Sequence, residues 1–231
     1  MKLEKVTQNG KSAQKRWYDD ACGTALALEF VGERWALLVV RELMFGPRRF
    51  SEIKANLPGI SANVLTQRLE GLEAHGILTR RKLPSPGSVQ VYELTPWGYA
   101  SEPIFQEMGR WATRSRRHNP MLFLSPASAM MSLRTMIDRD KAAKERMTIA
   151  FRFPTDAFFG ELADGELTIR RGETDKADLA FETDTTTFVI TVYGKRPFAE
   201  SEAAGTLRLV GDRDAAARFV SLFGLPDKIA D

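Results

Sequence analysis

Apolar residues along residues 21–46 recur at helical spacing. Trp35, Leu38, Val39 and Leu43 stand at i, i+3, i+4 and i+8, which puts them on one face. The spacing predicts one helix with a core-facing stripe, broken at Gly46-Pro47 because proline lacks the N–H a helix interior needs. A short helix follows over residues 50–56, stopped by Leu57-Pro58-Gly59. A third covers residues 62–75. Ser61 is placed to cap its free N–H groups, and Ile60 and Leu65 form a hydrophobic staple across that cap. Leu65, Leu69 and Leu72 share one side of this helix, while Asn63, Gln67, Glu70 and Ala74 share the other. One side packs, the other faces outward, and Gly76 ends the helix as a left-handed cap.

Two strand-like runs come next, residues 77–83 and 89–94, joined by the turn-forming Pro84-Ser85-Pro86-Gly87-Ser88. Thr95-Pro96 reads as a cap and first-turn proline opening a helix that runs past Trp111 toward His118, with a basic end at Arg110, Arg114, Arg116 and Arg117. After Asn119-Pro120 the pattern changes to alternation: Met147, Ile149, Phe151 and Phe153, then Leu167 and Ile169, then Leu179 and Phe181, then Leu207 and Leu209. These predict half-buried strands of an antiparallel sheet, with Asp164-Gly165 as a tight turn. Behind the cap Asp212, the residues Ala216, Phe219, Val220 and Phe223 repeat at helical spacing, as a helix covering the sheet would. The segment Thr185–Tyr193 favours a strand by its β-branched content.

The length of 231 residues suits two domains, and 43% hydrophobic with 27% charged residues suits a folded chain. The expected division is a basic arm over residues 1–20, a first domain over 21–119 and a second over 120–231. No run approaches the roughly 18 apolar residues of a membrane span and the start has no signal-peptide pattern, so a soluble cytoplasmic protein without a membrane partner is expected. Cys22 has no second cysteine to bond with. With only His75 and His118 beside it, a four-ligand Cys/His metal site cannot be assembled from one chain. No phosphate-cradling glycine loop, zinc-protease motif or nucleophile elbow is present, so neither a cofactor nor an enzyme is expected. Charge is unevenly spread: 18 Lys and Arg against 12 Asp and Glu in residues 1–120, then 15 against 18 in the rest. The basic half is the candidate for a polyanionic partner.

Two helices joined by a short turn, then a hairpin with basic strands, make a winged helix-turn-helix. The helix from Ser61 fits a major groove with its N-terminal residues toward the bases. Asn63 and Gln67 carry the paired donor and acceptor that match adenine, and Thr66 offers a hydroxyl or methyl. Arg68 can reach guanine or phosphate, but is also near enough to the buried side to act structurally. Arg48, Arg49, Lys54, Arg80, Arg81 and Lys82 supply phosphate-seeking charge on both flanks. Any exposed helix can show such residues, and Glu70 would repel phosphate; the ordered combination of helix, turn, helix and basic hairpin is what favours double-stranded DNA.

Several motifs in order resemble the HxlR-type winged-helix transcription regulators: Gly32-Glu33-Arg34-Trp35, Gly46-Pro47-Arg48-Arg49-Phe50-Ser51-Glu52-Ile53, Leu65-Thr66-Gln67-Arg68-Leu69, Leu72-Glu73-Ala74-His75-Gly76-Ile77-Leu78 and Tyr92-Glu93-Leu94-Thr95. The resemblance spans about residues 21–112. It implies a homodimer on operator DNA, with the first and last helices of that domain at the dimer interface. Two positions depart from the family pattern: Gly23 follows Cys22 where proline is usual, and the wing tip is Pro84-Ser85-Pro86-Gly87. By the same resemblance Cys22 is a redox candidate. Asp19 and Asp20 just before it disfavour a thiolate, and a free cysteine is commonly buried.

Five of the eight methionines fall between Met121 and Met147, and flexible, polarisable side chains suit a cavity that accepts varied apolar shapes. Phe123, Met130, Met131, Leu133, Phe151, Phe181 and Phe188 are the candidate lining, although such a stripe also makes an ordinary core. Over about residues 125–226, Asp164-Gly165-Glu166-Leu167, Ala177-Asp178-Leu179-Ala180-Phe181 and Gly205-Thr206-Leu207-Arg208-Leu209-Val210-Gly211-Asp212 resemble sterol-carrier-protein-like domains. That resemblance implies a curved sheet, helices around an apolar cavity, a hydrophobic ligand, and a helix at Thr185–Tyr193. The fold class expected is α+β, a winged helix-turn-helix followed by an antiparallel-sheet sterol-carrier-like domain. The function expected is a DNA-binding transcription regulator controlled by a hydrophobic effector. Its alternative is an apolar-ligand carrier or small-molecule enzyme whose winged helix serves protein interaction.

Overall fold

The computed structural model describes residues 18–82 and 89–230. Where one long helix is predicted at the start, two form: α1 (Gly23–Val31) and α2 (Ala36–Leu43). Trp35 lies between them with φ at 79°, a left-handed backbone no helix interior takes. The helical phase therefore restarts at Ala36. Ala36, Val39, Val40 and Leu43 make the buried stripe, and Leu38, predicted to join it, faces out.

Helices α3 (Phe50–Ala55) and α4 (Ala62–Ala74) follow, with α4 packed on α1, α2 and the strand after it. Gly76 has φ at 71°, as a left-handed cap requires. The strands β1 (Leu78–Lys82) and β2 (Gln90–Leu94) pair antiparallel, and Arg48 extends this ribbon by exchanging backbone hydrogen bonds of 2.9 and 2.8 Å with Tyr92. The predicted wing-tip turn lies outside the described residues. The predicted helix from Thr95 is also two, α5 (Pro96–Tyr99) and α6 (Glu102–Thr113), because Pro103 has no N–H to carry the first one onward.

The second half begins with α7 (Pro126–Met136) and α8 (Arg139–Ala142). The strands β3 (Met147–Phe153), β4 (Asp156–Ala163) and β5 (Glu166–Arg171) then form a meander, joined at its second turn by Asp164-Gly165 with φ of 52° and 80°. Next come β6 (Leu179–Thr183), α9 (Thr185–Tyr193), α10 (Phe198–Ala203), β7 (Leu207–Gly211) and α11 (Arg213–Ser221). The sheet order is β5-β4-β3-β6-β7, and β3 and β6 run parallel. The fully antiparallel sheet predicted is thus corrected: the meander occupies one edge of β3, so the chain crosses over to reach the other edge and enters it in the same direction. Strand β4 escaped the alternation because a glycine stands at one of its inward positions. A Cβ on Gly160 would meet Phe151 Cε2 at 3.0 Å.

Thr185–Tyr193 forms a helix despite its local preference. Asp184 caps it by accepting the Thr187 N–H at 2.8 Å, and Phe188, Val189 and Val192 bury against the sheet. A helix-propensity loss of at most about 0.7 kcal/mol per residue is smaller than the roughly 1.5–3 kcal/mol gained by burying one such side chain.

The buried apolar residues of both halves make one continuous cluster. Phe45 meets Phe158 edge to face at 5.5 Å, and α7 packs against α2 and α6. Polar contacts reinforce the join. Ser125 Oγ donates to the fully buried Glu42 at 2.7 Å. Nearby, Asp156 at the start of β4 pairs with the Arg48 guanidinium and accepts Arg171 Nε at 3.1 Å on each oxygen, while Arg171 Nη1 donates to Gly46 O at 3.3 Å. Burial pushes Arg171 down to about 10, and lowers Arg48 through burial first and the nearby Arg171 charge second. Side-chain exposure is 5% for Asp156 and 8% for Arg48, so neither charge has water to fall back on. Asp156→Ala should cost about 3–5 kcal/mol of stability by stranding two buried cations. Urea unfolding followed by circular dichroism measures it, and a loss under about 1 kcal/mol would contradict the burial of this cluster.

Candidate nucleic-acid interface

Helix α4 is held from below by Leu65, Leu69 and Leu72, each almost fully buried, and from its start by Ser61 Oγ, which accepts the Val64 N–H at 3.2 Å. Ser61, Asn63, Thr66 and Gln67 are exposed on the opposite side. The Asn63 and Gln67 amides have no hydrogen-bond partner among the described residues, so their donor and acceptor pairs are available to a ligand. Arg68 does not join them. It is half-buried and tied to Glu33 at 3.2 Å, binding α4 to the α1–α2 loop, so its structural role is the one the structure favours.

The basic residues divide three ways. Arg49, Lys54 and Lys82 are exposed and have no ion pair among the described residues. Arg80 is exposed but pairs with Glu73 at 2.7 Å and lies over the Tyr92 ring, and Arg81 pairs with Glu93 across the hairpin. Arg48 is the correction: its guanidinium points into the join with the second half and cannot reach a phosphate from there. Missed by the sequence reading was Arg34. It is exposed and stacked 5.3 Å over the Trp35 ring, and Trp35 Cη2 lies 3.8 Å from where a Cβ on Gly59 would sit, in the turn before α4.

The predicted ligand-lining set is also placed differently. Met130, Met131, Leu133, Phe151, Phe181 and Phe188 are core residues in direct contact, with Phe151 stacked on Phe181 at 6.2 Å and edge-on to Phe188 at 5.7 Å. Rings that meet stacked and edge-on at these distances belong to a close-packed core. Phe123 stands apart from them, 60% exposed on the segment that joins the halves.

Cys22 is exposed, against the expectation of burial, and stands at the N-cap of α1. The Ala25 and Thr24 backbone N–H groups of the first helical turn, with the Thr24 hydroxyl, lower its thiol from the usual value. Among the described residues no group of three or more His, Cys, Asp or Glu side chains could hold a metal ion, and no helix is long and apolar enough to cross a membrane.

Comparison with known proteins divides the chain at the same place as its composition. Residues 30–120 match the HxlR-like helix-turn-helix family, and residues 121–229 match the family described as alkyl sulfatase C-terminal, a different name from the sterol-carrier resemblance. The chain is 41% identical over 87 residues to the HTH-type transcriptional regulator YvaP of Bacillus subtilis (strain 168), covering 38% of this chain and 81% of that protein. It is 42% identical over 86 residues to the HTH-type transcriptional regulator YodB of the same organism, covering 37% of this chain and 77% of the other. Among solved structures, the sec-alkylsulfatase Pisa1 from Pseudomonas sp. is similar with a TM-score of 0.41 and 26% identity, over 46% of this chain and 17% of that one.

Iodoacetamide should alkylate Cys22 in the folded chain at neutral pH faster than it alkylates glutathione, because the lowered thiol holds more thiolate. Mass spectrometry of timed samples reads the rate. A rate equal to or below that of glutathione would remove the cap's influence on the sulfur.

Proposed function

The chain belongs to the HxlR-like helix-turn-helix family of transcriptional regulators, and from that premise we propose that it reads operator DNA with the exposed face of α4, as a homodimer. The observation that carries this is the pair of unpartnered amides, Asn63 and Gln67, on a capped, rigidly seated helix. Each can meet an adenine edge with two hydrogen bonds, which is sequence information that phosphate contacts lack. Arg49, Lys54 and Lys82, which have no ion pair among the described residues, would neutralise phosphates, and Arg80 and Arg81 would first exchange their carboxylate partners. The segments 21–119 and 120–231 are then the DNA-reading and controlling units, working in the cytoplasm.

Support for the dimer comes from apolar side chains left in the open. Leu26 and Leu28 of α1 and Ile104, Met108 and Trp111 of α6 are all exposed, Trp111 by 78%. Apolar patches of that kind mark interfaces. A two-fold pairing through α1 and α6 sets two copies of α4 on half-sites a whole number of helical turns apart. An apolar effector acting through the second half belongs to the same proposal, supported by the ion cluster that joins β4 and β5 to the residue next to α3. Cys22 supplies a second input in this reading, a thiol at the start of a dimer helix whose oxidation would change subunit packing.

Fluorescence anisotropy on the chain's own promoter fragment tests the DNA reading. Gln67→Ala should cost about 1–3 kcal/mol on the operator and narrow its margin over scrambled DNA, whereas Lys54→Ala should weaken every sequence alike and reduce the salt slope by about one. Equal binding of operator and scrambled DNA by the unaltered chain would end it. Trp111→Glu should shift sedimentation from dimer to monomer and lower operator affinity with it; a dimer that survives this change must use another surface.

A further inference from the structure

A cleft of about 490 Å³ opens between α3 and the second half, and nothing above assigns it a role. Its volume lies in the range that holds small organic molecules, about 300–1,000 Å³. Phe123, Leu124, Pro126, Phe153 and Pro154 give it apolar walls, and Ala55 at the end of α3 and Asn56 just after it complete the lining. Arg48 is part of the lining. Its side chain is more than nine-tenths buried, and its Nε, though without a hydrogen-bond partner among the described residues, is sealed from solvent and offers nothing to a ligand.

The charges of the lining decide what can enter. Glu52 and Asp184 stand at the cleft, and the Arg48 charge is already matched by Asp156, so an anion finds repulsion and no free cation. A cation fares little better. Glu52 Oε2 accepts the Arg49 N–H at 2.8 Å and lies 3.8 Å from Arg48 Nη1, and the Asp184 oxygens are taken by the Thr187 N–H at 2.8 Å and hydroxyl at 2.7 Å. What remains for a ligand is apolar wall and the Asn56 amide.

We propose that this cleft, and not the interior of the second half, is the effector site, and that it takes an uncharged aromatic or alicyclic molecule carrying an acceptor oxygen for the Asn56 side-chain amide. This rests on the reading of the chain as a DNA-binding regulator and gives its effector a place and a chemical class. One wall is α3 of the first half and the other is the second half. A ligand bridging them acts on DNA affinity if it prefers one arrangement of the two, since equal affinity would shift nothing.

The probe is 6-propionyl-2-(dimethylamino)naphthalene, uncharged and bearing a ketone, titrated into the full chain with its emission followed. Two comparison probes are N-phenyl-1-naphthylamine, which lacks the ketone, and the anionic 1-anilinonaphthalene-8-sulfonate. Saturable binding of the ketone is expected, with each comparison probe about tenfold weaker, or roughly 1.4 kcal/mol. Ala55→Trp, which fills the cleft from an exposed position, and Phe123→Ser, which removes an exposed wall, should each weaken the ketone about tenfold while circular dichroism stays unchanged. No saturable binding, equal binding of the anion, or binding untouched by both variants overturns the site. Operator affinity is measured on the same samples. An operator affinity unmoved by saturating ketone overturns its role as effector site, whereas a chain that takes up the ketone but binds no operator overturns the DNA reading and leaves the cleft standing.

Discussion

A single carboxylate between two guanidiniums holds the molecule's halves in one arrangement. Asp156 draws Arg48 from the first half and Arg171 from the second into a largely buried cluster, and each of these charges would cost several kcal/mol to bury alone. The apolar cluster around it supplies most of the attraction between the halves, through Phe45, Phe158 and α7, but apolar contact tolerates sliding. Ion pairs with defined hydrogen-bond geometry do not. The cluster therefore fixes the register of the join more than it adds to its strength.

That register matters because Arg48 serves two masters through different atoms. Its backbone is bridged to Tyr92 in β2, and its neighbour Arg49 caps the start of α3, so the residue stands where the hairpin and the helix-turn-helix meet. Its side chain reports on the second half. Meanwhile α4 keeps its reading face clear, with its packing contacts on α1, α2 and β1. The reading surface and the joint are thus separate places on one unit.

How much of this could be read from residues alone depended on how local each cause was. Helix α4 was legible throughout, because its cap, its apolar period and its closing glycine all lie within 16 positions of one another. The second half's strands were legible where alternation was clean, and β4 was not, because Gly160 makes room for a ring on the neighbouring strand and so erases its own signal. Propensity misled at Thr185–Tyr193, where burial on the sheet outweighed the β-branched preference; the family resemblance carried information there that local statistics lacked. The fate of Arg48 was out of reach altogether. In the sequence it is one arginine among several beside a helix-turn-helix, and the carboxylate that removes it from the surface lies 108 residues away.

The placement of Arg48 also bears on how such a chain could be rebuilt. Grafting residues 30–120 onto a different partner domain would leave that arginine buried without a counter-charge, or exposed in a position shaped for burial. Cutting between the halves is therefore not a neutral operation, and a hybrid sensor would have to recode position 48 together with whatever replaces β4. Modularity in this architecture is limited by one side chain that belongs by sequence to the first half and by electrostatics to the second.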